Sequence, residues 1–167
     1  MNEALRVELL NRYEKQSEMT RKANEANDPS LWDFQLCKDD TQYLKKVVQK
    51  NGWPTISMVG QDGAQAAWQL LQLADDDLGF QAHCLELMKA LPQGEVMLFN
   101  IAYMEDRVRK GQGRPQLYGT QHTMAGDSIT ALPIEDVENL DKRRLAMGLE
   151  PFEKEQEQVK NLESQSS

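Results

Sequence analysis

The run 95–110 constrains the fold most: Met97, Ile101, Met104 and Val108 recur at the three- and four-residue spacing of one helix face. It is the most hydrophobic helical stretch of the chain and reads as the central helix. Other segments repeat the period more weakly. Leu5, Leu9 and Tyr13 give 3–26 a short stripe that turns polar through QSEMTRKANEAN, so its far end is expected to fray. Asn27-Asp28-Pro29 reads as a stop and restart, with Asp28 as cap and proline at the first helical position. Asp39-Asp40-Thr41 offers the next N-cap, ahead of Leu44, Val47 and Val48, and Asn51-Gly52 ends that helix.

Trp53-Pro54 enforces an extended exit, after which Thr55–Val59 is expected to be a short strand or an ordered loop. Gly60-Gln61-Asp62-Gly63 opens a helix carrying Ala64, Ala67, Trp68 and Leu71. Beyond the acidic corner Asp75-Asp76-Asp77, a further helix turns Phe80, Cys84, Leu87, Met88 and Leu91 inward. After Gly111-Gln112-Gly113 the helical period disappears. Turn residues and β-branched positions predict a small β-hairpin or an irregular segment near 115–132, before helical character resumes from Ile134. The expected class is mainly α: a helical domain of about six to seven helices with one small hairpin.

At 167 residues the chain suits one domain with an attached arm. Its formal charge of −8 argues against broad nucleic-acid or anionic-membrane binding, which needs a surplus of Lys and Arg. No run approaches a membrane span of roughly 18–20 apolar residues, and the first sixteen residues do not read as a signal peptide, so a cytoplasmic address is expected. Charge is uneven along the chain: residues 60–95 carry −5 and residues 135–167 carry −4. Residues 103–116 instead form a positive island, with Arg107, Arg109, Lys110 and Arg114 against Glu105 and Asp106.

The common catalytic and phosphate-binding words are missing, and His83 and His122 lack local partners, so neither a metal nor a cofactor is expected. Cys84 lies on an apolar face, where a thiol is inert. Asp62 reads as a cap rather than part of an anion cradle, and Asp75-Asp76-Asp77 as a solvated corner. The region 100–121 is richer. Tyr103 and Arg107 flank the buried stripe, and Gln116, Tyr118, Thr120 and Gln121 follow within a few residues; alternation would place Gln116, Tyr118 and Thr120 on one face. Such a set either binds a small polar or anionic ligand, with Arg107 or Arg114 as the charge contact, or forms a buried structural network.

Taken in order, GWPTISMVGQDGAQAAW, AYMEDRV, GRPQLYGTQ and PIEDVENLDKRRLAMGLEP resemble an uncharacterised bacterial domain family with a GWP…GxxGAxAAW…DRV…QxYGTQ pattern, over about 40–151. The resemblance implies no activity. It implies that Gln72, Asp106, Arg107, Gln116, Tyr118, Thr120 and Gln121 belong to a recurring pattern, and that many members carry a histidine where this chain has Leu73. On this reading residues 1–39 are N-terminal helices, 40–151 the family-like domain and 152–167 a polar, partly disordered tail.

Two functions remain open. One is a ligand-binding or enzymatic site made by Gln72, Tyr103, Asp106, Arg107, Gln116, Tyr118, Thr120 and Gln121. The other is an interaction module, adaptor-like or antitoxin-like, that meets a basic protein partner through acidic faces at 62–77 and 135–157.

Overall fold

Helix capping and buried stripes divide the chain into seven α-helices and one two-stranded hairpin among the described residues. The structure is a computed structural model describing residues 1–126 and 128–165, with side chains as far as Asn161. It separates into two compact units, Met1–Val96 and Met97–Ser167. This boundary lies at neither 39/40 nor 151/152, where the sequence placed its divisions.

In the first unit, α1 (Glu3–Glu25) is capped by Asn2, whose side chain accepts from Leu5 N at 3.2 Å. It does not stop where its sequence turns polar: Gln16, Met19 and Ala23 prolong the buried stripe of Leu5 and Leu9. After a 3₁₀ turn at Pro29–Leu31 capped by Asp28, α2 (Phe34–Asn51) begins earlier than expected, because Asp33 is its cap and accepts from Leu36 N at 2.9 Å. Asp40, expected as a cap, sits inside α2 and is fully buried. Its oxygens take Arg12 Nη1 and Gln16 Nε2 from α1, each at 2.8 Å.

The Thr55–Val59 tract also differs from its expected strand or loop. Thr55 caps α3 (Ile56–Gln72), so these residues form its first turn, and the helix is then kinked at Gly60 (φ 76°, ψ 165°). Just past the kink, Asp62 accepts from Arg6 Nη2 at 2.5 Å and from Gly63 N at 2.8 Å. Gly63, Ala64, Ala66 and Ala67 are buried, which lets α1 approach α3 closely. Asp77 caps α4 (Leu78–Lys89), whose buried face is Phe80, Gln81, Cys84, Leu85 and Met88. Burial pushes the Cys84 thiol up to about 12.

The second unit is built on α5 (Leu98–Gly111), where Ile101, Met104 and Val108 are buried as the sequence indicated, alongside Asn100, Asp106 and Arg109. The expected hairpin is present: β1 (His122–Ala125) pairs antiparallel with β2 (Ser128–Ala131), His122 opposite Ala131. Two helices follow, α6 (Leu140–Ala146) and α7 (Phe152–Gln165). The tail expected to be partly disordered is thus helical through 165, and residues 166–167 lie outside the described residues. Among the described residues no helix is long and apolar enough to cross a membrane.

Two measurements check the first unit. Replacing Gly60 by Ala puts a Cβ 3.1 Å from Asp62 Oδ1 at a positive φ and is expected to cost about 1–3 kcal/mol in urea denaturation; an unchanged midpoint would mean the kink is not required. Arg6 holds the Asp62 carboxyl down to about 2, from an ordinary 3.8. A depressed folded value stabilises above the unfolded one and is lost as pH falls through the folded one. The stability difference between wild type and Asp62→Asn should therefore be full above about pH 4 and vanish toward pH 2.

Candidate functional site

The segment 115–121 is irregular backbone, and irregular backbone must find partners for its amides and carbonyls. Asp106 supplies the amide side. From a fully buried position on α5 its Oδ1 accepts from Leu117 N at 2.6 Å and Tyr118 N at 3.0 Å, while Oδ2 accepts from Thr120 N at 3.0 Å and Thr120 Oγ1 at 2.9 Å. Four donors on two carboxylate oxygens use all the lone pairs the group has. Asp106 is therefore fully engaged by the chain's own donors.

Three arginines supply the carbonyl side. Arg109 Nε donates to Pro115 O at 2.6 Å, Arg143 Nε to Leu117 O at 2.9 Å, and Arg144 Nη1 to Tyr118 O at 2.5 Å. Gln116 fastens the segment to the strand that follows: its Nε2 donates to Gln121 O at 3.0 Å and Leu132 O at 2.8 Å, and its Oε1 accepts from Gln121 N at 2.9 Å. Gly119 adopts φ +72° beneath Phe152, where a Cβ would lie 2.6 Å from the ring. The expected alternation is absent, because the chain wraps around Asp106 rather than extending: Gln116, Thr120 and Gln121 are all buried, whereas Tyr118 is half-buried.

The second unit thus brings Asp106, Gln116, Tyr118, Thr120 and Gln121 together. Tyr103 and Arg107 are half-buried on α5, and Tyr103 lies one turn before Asp106, with its hydroxyl 3.5 Å from Glu155 Oε1. Burial raises the Tyr103 phenol above its ordinary value, assisted by the Glu155 charge. Gln72 belongs to the first unit, where its Nε2 donates to Gln69 Oε1 at 2.9 Å. Arg114, named as a charge contact, is exposed. The buried guanidiniums are Arg109 and Arg144, and Arg109 pairs with Glu135. Sequence reading missed Arg144 because RRLAMG falls in a segment read by its acidic total.

A larger concavity lies in the first unit. Where α1 ends and α2 and α4 begin, the chain leaves a groove of about 930 Å³. Its apolar lining comes from Trp32, Phe34, Cys37, Leu73 and Ala74, and five carboxylates, Asp28, Asp39, Asp75, Asp76 and Asp77, face the single amine of Lys38. Phe34 is 67% exposed and Leu31, three residues before it, 46%. Leu73, at the position where a histidine was expected in relatives, is part of this lining. Among the described residues no group of three or more His, Cys, Asp or Glu is arranged to hold a metal ion.

No curated protein and no solved structure matches the chain. The model of a family of unknown function matches residues 5–165, a span that takes in both units and extends well beyond the 40–151 in which the sequence resemblance was seen.

Asp106→Asn would aim a carboxamide NH₂ at backbone donors and remove the charge that holds them. The loss is expected to be about 3 kcal/mol by chemical denaturation. Stability within about 0.5 kcal/mol of wild type would show that the 115–121 segment does not depend on this carboxylate.

Proposed function

The chain belongs to that family, DUF6624, whose function is unknown, and from its own side chains we propose that it is a binding module whose first unit takes a cationic, partly apolar segment of a protein partner. The observation that carries this reading is the groove itself, with its aromatic and aliphatic lining and five carboxylates against one amine. Large concave surfaces with an apolar floor and a few convergent polar groups are where ligands bind, and the sign of these groups selects a cation. An anionic ligand would meet five carboxylates and a single amine.

Some of the acidity is a consequence of helix capping. Asp28 accepts from Ser30 N and Asp77 from Phe80 N, each at 2.9 Å, and Asp77 also pairs with Lys45. Asp39, Asp75 and Asp76 cap no helix; Asp39 accepts from Gln35 Nε2 at 2.8 Å and Asp75 from the buried Gln81 Nε2 at 3.2 Å, neutral partners that leave the negative charge of both in place. Along α2, Phe34, Lys38 and Gln42 recur every fourth residue on the groove wall, a length of about 12 Å, or two helical turns. A lysine or arginine stem can lie on Trp32 and Phe34, with its head among Asp39, Asp75 and Asp76; aromatic faces also attract cations directly.

In the second unit, Asp106, Gln116 and Thr120 serve as scaffold, since their side-chain hydrogen bonds are made within the chain. This reading favours the interaction class over an anionic ligand bound by Arg107, Tyr118 and Gln72.

Fluorescence anisotropy with a labelled peptide bearing lysines on one helical face and leucines on the other tests the reading. Binding is expected to weaken about tenfold between roughly 50 and 500 mM NaCl. Asp39→Asn/Asp76→Asn should weaken it about fivefold or more, whereas Glu153→Gln/Glu157→Gln, which removes equal charge from the second unit, should not. Salt-insensitive binding, or equal loss in both double variants, contradicts a groove-specific site.

A further inference from the structure

The second unit contains a cavity of about 220 Å³ bordered by Phe99, Tyr103, Arg144, Leu149 and Glu155. Its polar edge already holds a carboxylate from the chain itself. Arg144, only 1% exposed, directs Nη2 to Glu155 Oε2 at 2.6 Å, and the Tyr103 hydroxyl lies 3.5 Å from Glu155 Oε1. A guanidinium from α6 and a phenol from α5 therefore meet the two oxygens of one carboxylate carried in by α7. We propose that Arg144 and Tyr103 form a carboxylate-binding site of which Glu155 is the internal occupant, and that a small carboxylic acid with an apolar body competes for it.

Two observations separate this site from an ordinary buried ion pair. The first is that Arg144 does not rely on α7 for its position: Nη1 donates to Tyr118 O at 2.5 Å and Nε to Glu150 O at 2.6 Å, and neither acceptor lies on α7. Without the Glu155 charge, as in Glu155→Gln, the guanidinium keeps these two bonds but lacks an anion, a costly state that an external carboxylate relieves.

The second is that α7 is shallowly seated. Its inward positions are Phe152, Glu155, Gln156 and Val159, at i, i+3, i+4 and i+7, and each is only half-buried. Two of the four are polar, and Gln156 engages His122 at 3.2 Å rather than adding apolar contact. A helix docked this way opens at low cost compared with the core. The cavity beside the pair, walled by Phe99 and Leu149, suits the hydrocarbon part of an acid and gives an incoming ligand a contact that Glu155 does not make.

Benzoate is the probe, with benzamide as its neutral isostere, at constant ionic strength and on the full chain. In Glu155→Gln, benzoate is expected to raise the melting temperature in a saturable way while benzamide does not. Wild type should shift less than half as much at the same concentration, because its own carboxylate competes. Adding Tyr103→Phe should reduce the shift. Equal responses to benzoate and benzamide, or equal shifts in wild type and Glu155→Gln, overturn the proposal. Hydrogen exchange on wild type gives a readout that does not depend on the variant folding: saturating benzoate should speed exchange of amides 156–161, and benzamide should not. Unchanged exchange overturns displacement of α7.

Discussion

A single buried carboxylate organises the second unit. Asp106 gathers the amides of Leu117, Tyr118 and Thr120, and three arginines gather the carbonyls of Pro115, Leu117 and Tyr118. Between the backbone bridge of Gln116 to Pro133 and Glu135 and the bond from Leu132 N to Gln121 O, the segment is thereby satisfied by side chains, which is the condition for burying irregular backbone. Other features depend on it. With the segment fixed, Gly119 can receive the Phe152 ring, Gln116 can pair with both Gln121 and Leu132, and Arg144 is aimed at Glu155. Charge-assisted bonds are the stronger kind, and here they hold Leu117, Tyr118 and Thr120, which lie outside the backbone bridge made by Gln116.

The first unit buries a charge to a different end. Asp40 is pushed above the ordinary carboxylate range by burial, an effect opposed by Arg12, whose guanidinium also lies 4.0 Å from the centre of the Tyr43 ring. Asp40, Arg12 and Gln16 join α1 to α2 within their spans, and the groove lies where α1 ends and α2 begins. Asp28, the cap of the 3₁₀ turn, and Asp77, the cap of α4, both face it, and Asp39, Asp75 and Asp76 add further charge. The acidic total of −8 thus has a local expression, a concave surface suited to a cation.

Much of the fold was legible because it follows local rules. The stripe Ile101, Met104, Val108 marked α5, Asn51-Gly52 marked the end of α2, and the loss of period after Gly113 marked the hairpin region. The misreadings occurred where tertiary partners override local signals. Asp40 has the sequence context of a cap, but Arg12 and Gln16, more than twenty residues away, make it an interior residue. Thr55–Val59 is β-branched enough for a strand, but Thr55 caps a helix that Gly60 then kinks.

The polar cluster was recognised as a cluster, whereas its chemistry depends on which atoms meet. A carboxylate whose lone pairs are all occupied by backbone differs from one facing a cavity, and spacing cannot distinguish them. The groove was legible only as an acidic stretch at 75–77. Its other wall comes from residues 28–42, and the aromatic lining of Trp32 and Phe34 becomes apparent only when α2 is placed beside the α3–α4 turn.

Binding in the groove and scaffolding by Asp106 make opposite demands on the same spectrum. In a backbone NMR titration of the full chain with the lysine- and leucine-faced peptide, resonances of 28–42 and 73–77 should move together with the Trp32 indole, and the amides of Leu117, Tyr118 and Thr120 should stay in place. Perturbations centred on 116–121, with 28–42 and 73–77 unmoved, would contradict both assignments at once.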